Sequence, residues 1–449
     1  MQRRDLLKAG LGAVSLLALQ TKAYAAPQDE PLRVALIGCG WYGKTDLLHL
    51  LQVAPEVEVV GLCDVDRDAA GNAAEIVSSR QASKKSPPTY GDYRKLLADQ
   101  KPAIVLVGTP DHWHCLPMVE ACKAGADVYV QKPISYDVVE GQAMVAAARK
   151  YDRTVQVGLQ RRSTHHLLEA RDRYLKSGKL GKVAYVDIHS YYGGGGDYPP
   201  TTKPPENLDW EMYVGPADWR DYNPGIHPRS WRGCREFSNG QTGDLCVHLF
   251  DAVRYHLGLG WPKSISATGG TLMKGPHAKN PMHDTQTALF DYGDVQLVWN
   301  QRNWGANPEP EYPWGATLYG DKGTLKISVW SYDFIPKDGA PVHVDWLDER
   351  AKFPQDEQHK ETEIFAAPAT RAHMKNFLAA RRDGAKPVAD IEEGHISSAC
   401  CIMANLSMEL GRSLTWDAAA GRVAGDDEAN RRLARKYRGE WVHPTPENV

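Results

Sequence analysis

Lys132 stands in Gln131-Lys132-Pro133, directly after the apolar run Asp127-Val-Tyr-Val130. A lysine held at a strand end and partly desolvated can share a hydroxyl proton and stabilise a developing alkoxide. Asp244 and His248 are four residues apart in a stretch, 244–257, with helical apolar spacing. That spacing places both on one helix face, with Leu245, Leu249, Ala252 and Val253 on an adjacent face that packs. A histidine titrates near neutral pH and makes a natural general base; Asp244 would orient it or bind a neighbouring hydroxyl. The plainer alternative is a helix-start carboxylate that complements the macrodipole, with a satisfied core histidine behind it.

These groups need elements that hold them. Arg33-Val-Ala-Leu-Ile37 reads as a buried strand, and Gly38-Cys39-Gly40-Trp41-Tyr42-Gly43 follows it directly, ahead of a helix over 44–54. This is G-x-G-x-x-G in a strand–turn–helix context: Gly38 for the tight turn, Gly40 for close approach of a pyrophosphate, Gly43 for close helix–strand packing. The helix N-terminus then offers free N–H groups to phosphates. A second strand, Val57 to Cys63, ends at Asp64. A carboxylate there accepts from ribose hydroxyls and repels a 2′-phosphate, favouring NAD, while Arg67 is close enough to admit NADP. Strands over 104–108, 127–130 and 154–157 alternate with helical stretches, as in a doubly wound α/β sheet. Its βα loops form the ligand face, and two carry unusual content: Thr109-Pro110-Asp111-His112-Trp113-His114 and Gln131-Lys132-Pro133.

With the G-x-G-x-x-G, the T-P-D-H-x-H loop and the Lys-Pro in view, the chain resembles the Gfo/Idh/MocA oxidoreductases. The match continues through Gly158-Leu-Gln160-Arg161-Arg162, Gly243-Asp244-Leu-Cys-Val-His248-Leu-Phe-Asp251, Trp416-Asp417 and Asp426 to Asn430. The resemblance implies an α/β protein with a Rossmann domain over 26–157. It implies a C-terminal α/β domain over 158–449 with a large, open, mostly antiparallel sheet that serves substrate binding and oligomerisation, as a homodimer or homotetramer. The family usually has Glu-Lys-Pro; Gln131 replaces the Glu here, which would lower the pKa of Lys132. NAD-dependent glycosidases of the related fold often lack the lysine, so its presence tilts toward alcohol oxidation, net or transient. Lys132, His248 and Asp244 are the expected catalytic groups. Cofactor contacts are expected at Gly38, Gly40, Trp41, Tyr42, Gly43, Asp64, Thr109, Pro110, His114 and Gln131.

Substrate contacts are expected at Gln160, Arg161, Arg162, Tyr191, Trp231 and Arg232. Arg161 and Arg162 follow a strand and could donate to sugar oxygens, or form a solvated charge pair. His165-His166 reads as a helix start. His112 and His114 have strand-like spacing but no third ligand, so no metal is expected. The segment from Tyr185 to Trp231 holds Tyr185, Tyr191, Tyr192, Tyr198, Trp210, Tyr213, Trp219, Tyr222 and Trp231, broken into loops by Gly193–Gly196 and four prolines. Aromatic faces suit the C–H faces of pyranose rings, or they pack a long loop or an interface.

Composition narrows the classes. The chain has 449 residues and a net charge of -3, so no basic excess supports nucleic-acid binding. It has 13 Trp and 20 Tyr against 7 Phe, and only Trp41 and Trp113 precede residue 158. The eight cysteines show no metal spacing and read as small buried hydrophobes. Arg3-Arg4, an apolar run from Ala9 to Leu19 and Ala23-Tyr-Ala25 resemble a twin-arginine signal peptide over 1–25, too short to span a membrane. The expected protein is a periplasmic NAD(P)-dependent oxidoreductase acting on a sugar or glycoside, with a tightly bound, recycled cofactor. The alternatives are an NAD-dependent glycosidase using transient C3 oxidation and elimination, and a non-catalytic sugar-binding protein.

Overall fold

A computed structural model describes residues 31–191, 199–273, 282–358 and 362–449. The signal-peptide expectation, with Arg3 and Arg4, and the expectations at Tyr192, Tyr198 and Gly193–Gly196 lie outside the described residues.

The short apolar runs of the first third form a parallel sheet: β1 (Leu32–Ile37), β2 (Val57–Cys63), β3 (Thr89–Tyr90), β4 (Ile104–Val107), β5 (Asp127–Val130) and β6 (Val155–Val157). Their order is β3-β2-β1-β4-β5-β6, with every pairing parallel. Helices α1 (Trp41–Val53), α2 (Arg67–Arg80), α3 (Tyr93–Gln100), α4 (Cys115–Lys123) and α5 (Val138–Lys150) connect the strands. Such strands, buried on both faces, read as continuous Val/Ile/Leu runs. The order reverses between β1 and β4, so the crevice at their carboxyl ends is where a doubly wound sheet takes its ligand.

After β6 come two short helices, α6 (His165–Ala170) and α7 (Trp210–Val214), and a longer one, α8 (Val247–Leu257). The second sheet is built from β7 (Val183–Ser190), β8 (Ser264–Gly270), β9 (Thr285–Asp291), β10 (Gln296–Arg302), β11 (Trp314–Gly320), β12 (Gly323–Ser328), β13 (Ser331–Pro336), β14 (Val342–Asp345), β15 (Leu414–Asp417) and β16 (Arg422–Val423). Its ten strands run β14-β13-β12-β11-β7-β10-β9-β8-β15-β16, antiparallel except for β7 beside β10. Period-two alternation is clear along β9 and β10, where Gln286, Ala288, Phe290, Leu297, Trp299 and Gln301 face inward.

The two halves of the chain on either side of 157/158 pack closely together. The helices α9 (Ala367–Asp383) and α10 (Ile391–Leu410) come from the second half of the chain. Yet Met374 and Phe377 of α9 sit in one apolar cluster with Val34, Leu36 and Leu106 of the first sheet and Leu47 of α1. Val157 and Ile134 likewise share a cluster with Ala399, Cys400 and Met403 of α10. The Rossmann sheet cannot bury both its faces with its own helices alone, so returning chain supplies the missing cover. All eight cysteines are buried and none is joined in a disulfide, as small core hydrophobes. No helix among the described residues is long and apolar enough to cross a membrane.

Candidate active site and cofactor cradle

At the C-terminal end of β1, Gly38 turns the chain with φ +91°, and a Cβ there would lie 2.6 Å from Gly108 C and Thr109 N. A Cβ on Gly43 would lie 2.0 Å from Gly38 O. These two positions are closed by backbone, which locks strand, turn and helix together. Gly40 differs: nothing stands within 4 Å of its Cβ position, and it begins α1 without a side-chain cap. The start of α1 therefore leaves room for a pyrophosphate beside the helix N-terminus. Beside them, Thr109 Oγ1 is buried without a partner. Asp64 accepts from Cys39 N at 2.7 Å and Asp66 N at 2.9 Å. Burial raises its carboxyl, and those two N–H bonds oppose the rise. An open helix start, an orphaned hydroxyl and a carboxylate at the β2 end fit the phosphate, nicotinamide and ribose portions of NAD.

The proton-transfer groups converge at the end of β5. Lys132 Nζ donates to Asp244 Oδ1 at 2.5 Å and to Asp244 O at 2.9 Å, and its side chain is nearly sealed from solvent. Arg232 Nε reaches Asp244 Oδ2 at 3.1 Å. Burial would raise the Asp244 carboxyl, but the Arg232 and Lys132 charges outweigh it and hold the group well below the usual carboxylate range. His248 is buried with Nδ1 unpartnered; burial, then the Lys132 and Arg161 charges, hold its pKa far below the ordinary value, so the ring is neutral.

The expected Asp244–His248 partnership is corrected here. Thr242–Cys246 is a π-helical turn, and regular α-helix begins only at Val247. The wider turn breaks the four-residue register and turns backbone carbonyls outward: Asp244 O to Lys132, Leu245 O to Trp314 Nε1 at 3.2 Å. Among the described residues Asp244 binds Lys132 and Arg232, not His248.

Several other expectations change role. Gln131 Nε2 donates to Asp46 Oδ2 at 2.6 Å, and its Oε1 accepts from Lys132 N at 3.3 Å. It braces Lys132 from below rather than facing the cofactor. It also brings an acid back near the lysine, from α1; burial pushes Asp46 up to about 8, against the Gln131 hydrogen bond. His114 contacts Pro133 O at 2.6 Å and Thr109 O at 2.8 Å, joining the two ligand loops instead of offering a nitrogen to a ligand. Pro110 begins the short turn Asp111–Trp113 within the first of these loops. His112 Nε2 is engaged by Tyr213 O, so neither histidine is arranged as a metal ligand. The cluster Asp137, Glu140 and His443, whose ligand atoms lie within 4.8 Å of one another, is already bonded by Arg435 and Tyr437.

Arg162 is a core residue, not a substrate contact. It grips Asp251 with two bonds of 2.8 Å and adds Glu393 Oε2 and Val388 O at 3.0 Å each. Tyr191 stacks on His189 at 4.7 Å, Arg302 lies over its ring at 4.5 Å, and no bond among the described residues ties it to Lys132 or His248. Trp231 is buried in an apolar cluster with Trp210, Tyr213, Tyr222 and Phe237, and Arg232 lies over its ring at 4.2 Å. Its role is to seat Arg232, because the face expected for a sugar is taken. Trp210, Trp219 and Tyr222 line an open hollow of about 670 Å³ that shares no residue with the Lys132 group. Gln160 Nε2 donates to Tyr42 Oη at 2.7 Å, linking the second half of the chain to α1, and Tyr42 packs edge-on against Trp41.

Asp111 is the group that residue-type reasoning missed. It is buried, accepts from Asn239 N at 3.3 Å, and lies in the field of Arg232, Asp244 and Lys132. Burial raises it to about 7, which the two cations oppose and Asp244 reinforces. The signal was an acidic residue inside a loop already singled out for its histidines.

The oxidoreductase family model described as an NAD-binding Rossmann fold matches residues 32–159, and the model of its C-terminal alpha/beta domain matches 173–415. The chain belongs to the Gfo/Idh/MocA oxidoreductase family. It is 25% identical over 361 residues to a glycosyl hydrolase family 109 protein of Stenotrophomonas maltophilia, covering 72% of this chain and 73% of that one. It is 30% identical over 129 residues to glycosyl hydrolase family 109 protein 1 of Akkermansia muciniphila, a match spanning 27% of this chain and 26% of the relative. In fold it is similar to the aldose-aldose oxidoreductase of Caulobacter crescentus, with TM-score 0.63 and 17% identity over 86% of this chain and all of that one. Membership in this family makes the protein an NAD-dependent oxidoreductase with a sugar-handling kinship that includes glycosidases.

Proposed function

We propose that the protein oxidises a hydroxyl of a sugar or glycoside and keeps NAD bound through the whole cycle. The observation that carries this is Lys132, fastened to Asp244 at the β5 end, with neutral His248 beside it. NAD, when bound, supplies the hydride acceptor. His248 takes the hydroxyl proton, for which a neutral imidazole is required. Lys132 spends two N–H bonds on Asp244 and turns the third toward the forming alkoxide. Arg232 shares Asp244 and keeps that anchor ionised. In the return direction His248 gives the proton back.

Retention of the cofactor is supported by a strap, residues 199–237, lying against the adenosine end. Leu208 bridges Asp66, Arg67 N donates to Asn207 O, and Asp209 N donates to Val65 O. Asn207 Nδ2 and His227 Nε2 both reach the Asp66 carboxylate at 2.8 Å, and Arg229 lies over the Trp41 ring. Arg3-Arg4 and the following apolar run support export to the periplasm, where free NAD is not a dependable co-substrate. The hydride would then pass to a second sugar carbonyl, and NAD rather than NADP follows from Asp64. Self-association through the outer face of the large sheet, where exposed Tyr185 and Tyr319 meet at 5.8 Å, completes the proposal.

The glycosyl hydrolase family 109 relatives support a second reading, with the same groups in a redox-neutral cycle. Oxidation at C3 acidifies the C2 proton; the C1 substituent leaves by elimination, water adds, and the C3 carbonyl is reduced again. Incubating the purified protein with an aryl glycoside and no added cofactor separates the two. Aglycone release supports the glycosidase. A keto-sugar matched by an equal amount of reduced sugar supports the oxidoreductase. Neither product, from a protein that carries nicotinamide, would refute both.

A further inference from the structure

We propose that the substrate carries a carboxylate, as a uronic or aldonic acid does, and that Arg161 receives it. The proposal rests on the reading of this site as a sugar site. Arg161 is 3% exposed, yet among the described residues Nε and Nη1 are sealed from solvent with no hydrogen-bond partner, and no carboxylate pairs with the group. The neighbouring Arg162, in the same short turn, has Asp251, Glu393 and a carbonyl around it. A guanidinium taken out of water is normally paired, and one left unpaired is costly to the fold. Such a group persists where a ligand completes it.

Its position says which ligand. Arg161 lies over the Trp314 ring at 5.6 Å, and the edge of the same ring packs on His248 at 5.6 Å. The residue before it, Gln160, bonds Tyr42 of α1. Arg161 therefore stands between the cofactor helix and the base, one ring away from the reacting hydroxyl. The charges agree. Lys132 and Arg232 share one firmly ionised carboxylate, Asp244, and Arg161 adds a third positive charge beside His248. Burial lifts Asp46 to about 8 and Asp111 to about 7, His248 is uncharged, and Glu363 accepts from Tyr42 Oη at 3.3 Å. A neutral sugar leaves a surplus of cations in this space. A carboxylate removes it, and a planar guanidinium fork matches a carboxylate in shape.

The test uses the full NAD-loaded protein and pairs of methyl pyranosides: glucuronide, galacturonide and mannuronide, each beside its neutral counterpart. Binding is read by calorimetry, turnover by reduced-nicotinamide absorbance, and stability by thermal unfolding without sugar. At least one acid should bind about tenfold or more tightly than its neutral partner. In Arg161→Met that ratio should collapse, in Arg161→Lys it should survive in part, and Arg161→Met should unfold at the wild-type temperature or above it. Equal binding of acids and neutral sugars in every pair would overturn the proposal. So would failure of Arg161→Met to fold, which makes the guanidinium structural. Tighter binding of glucose 6-sulfate than of any uronide would overturn the carboxylate assignment. Acid binding that depends on Arg161 but yields no redox change keeps the subsite and removes the oxidoreductase reading.

Discussion

Replacing Arg162 with Met should cost the fold about 3–5 kcal/mol, the usual cost of stripping one partner from a buried ion pair. The magnitude follows from what is left behind. Asp251 is fully buried, and Arg162 supplies both of its 2.8 Å charge-assisted bonds. Without Arg162 the carboxylate keeps Ser397 Oγ at 2.7 Å and Arg254 Nη1 at 3.7 Å, which is beyond hydrogen-bonding distance. Glu393 and the Val388 carbonyl each lose a donor as well. Urea denaturation of the NAD-loaded protein measures the loss. The double variant Arg162→Met, Asp251→Leu should recover most of it, because replacing a buried pair with apolar side chains is often near neutral. The coupling from that cycle should exceed about 2 kcal/mol, as expected for residues in direct contact. A stability change under about 1 kcal/mol, with a large rise in sugar KM, would refute the reasoning and return Arg162 to the substrate site.

Further outcomes are expected at four positions. Asp111→Asn should abolish an inflection near pH 7 in kcat/KM, since Asp111 is raised to about 7 by burial; an unchanged profile would exclude its titration from the reaction. The same variant should flatten the stability profile. A carboxyl whose folded pKa is raised binds its proton more tightly when folded, so wild-type stability from this group falls as pH rises from about 4 to about 7, by several kcal/mol at most. Gly43→Ala should disrupt the turn and lose bound nicotinamide, because its Cβ meets Gly38 O at 2.0 Å, whereas Gly40→Ala should fold normally and weaken only NAD retention, measured by nucleotide released on denaturation. Asp244→Asn should lower kcat far more than it alters sugar KM, by removing the charge that fastens Lys132 and Arg232; a KM effect alone would mean Asp244 binds substrate rather than positioning the lysine.

The Rossmann half was legible because its signals are local. β2 and β5 fall where the apolar runs place them, and β1, β4 and β6 differ by a residue at one end. Gly38 and Gly43 do what their spacing implies, since the turn closes over a few residues. The site was legible in composition but not in wiring. Arg161 and Arg162 are the same residue type in adjacent positions; Asp251, 89 residues beyond Arg162, separates their roles, and it stands in the very motif that holds His248. Gln131 meets Asp46 across 85 residues, which no spacing rule reaches. The π turn at Thr242–Cys246 was hidden because an i, i+4 pattern reads the same whether or not one backbone bond slips to i, i+5. The aromatic segment misled through its composition. Trp and Tyr suit a sugar, but Trp210, Tyr213 and Trp231 are buried in a satellite core of their own.

That satellite core carries a consequence for the cycle. It lies within the strap that meets Asp66, Arg67 and Trp41 at the adenosine end. Trp210 stacks on Tyr213 at 4.7 Å, and the Tyr213 carbonyl receives both His112 and Trp113 from the loop beside Lys132. At the far end Trp231 carries Arg232, which holds Asp244. One packed unit thus touches the adenosine end of the cofactor site and the cation that anchors the catalytic carboxylate. Lifting the strap to release NAD would draw Arg232 off Asp244, so release and catalysis should be coupled. His227→Ala with Asn207→Ala removes two bonds to Asp66 without touching Arg232. The double variant should speed NAD loss by about tenfold or more, as for about 1.4 kcal/mol or more of lost interaction, and should lower kcat even when NAD is saturating. Faster NAD loss with kcat unchanged at saturating NAD would show that the strap holds the cofactor alone and that Arg232 is seated independently of it.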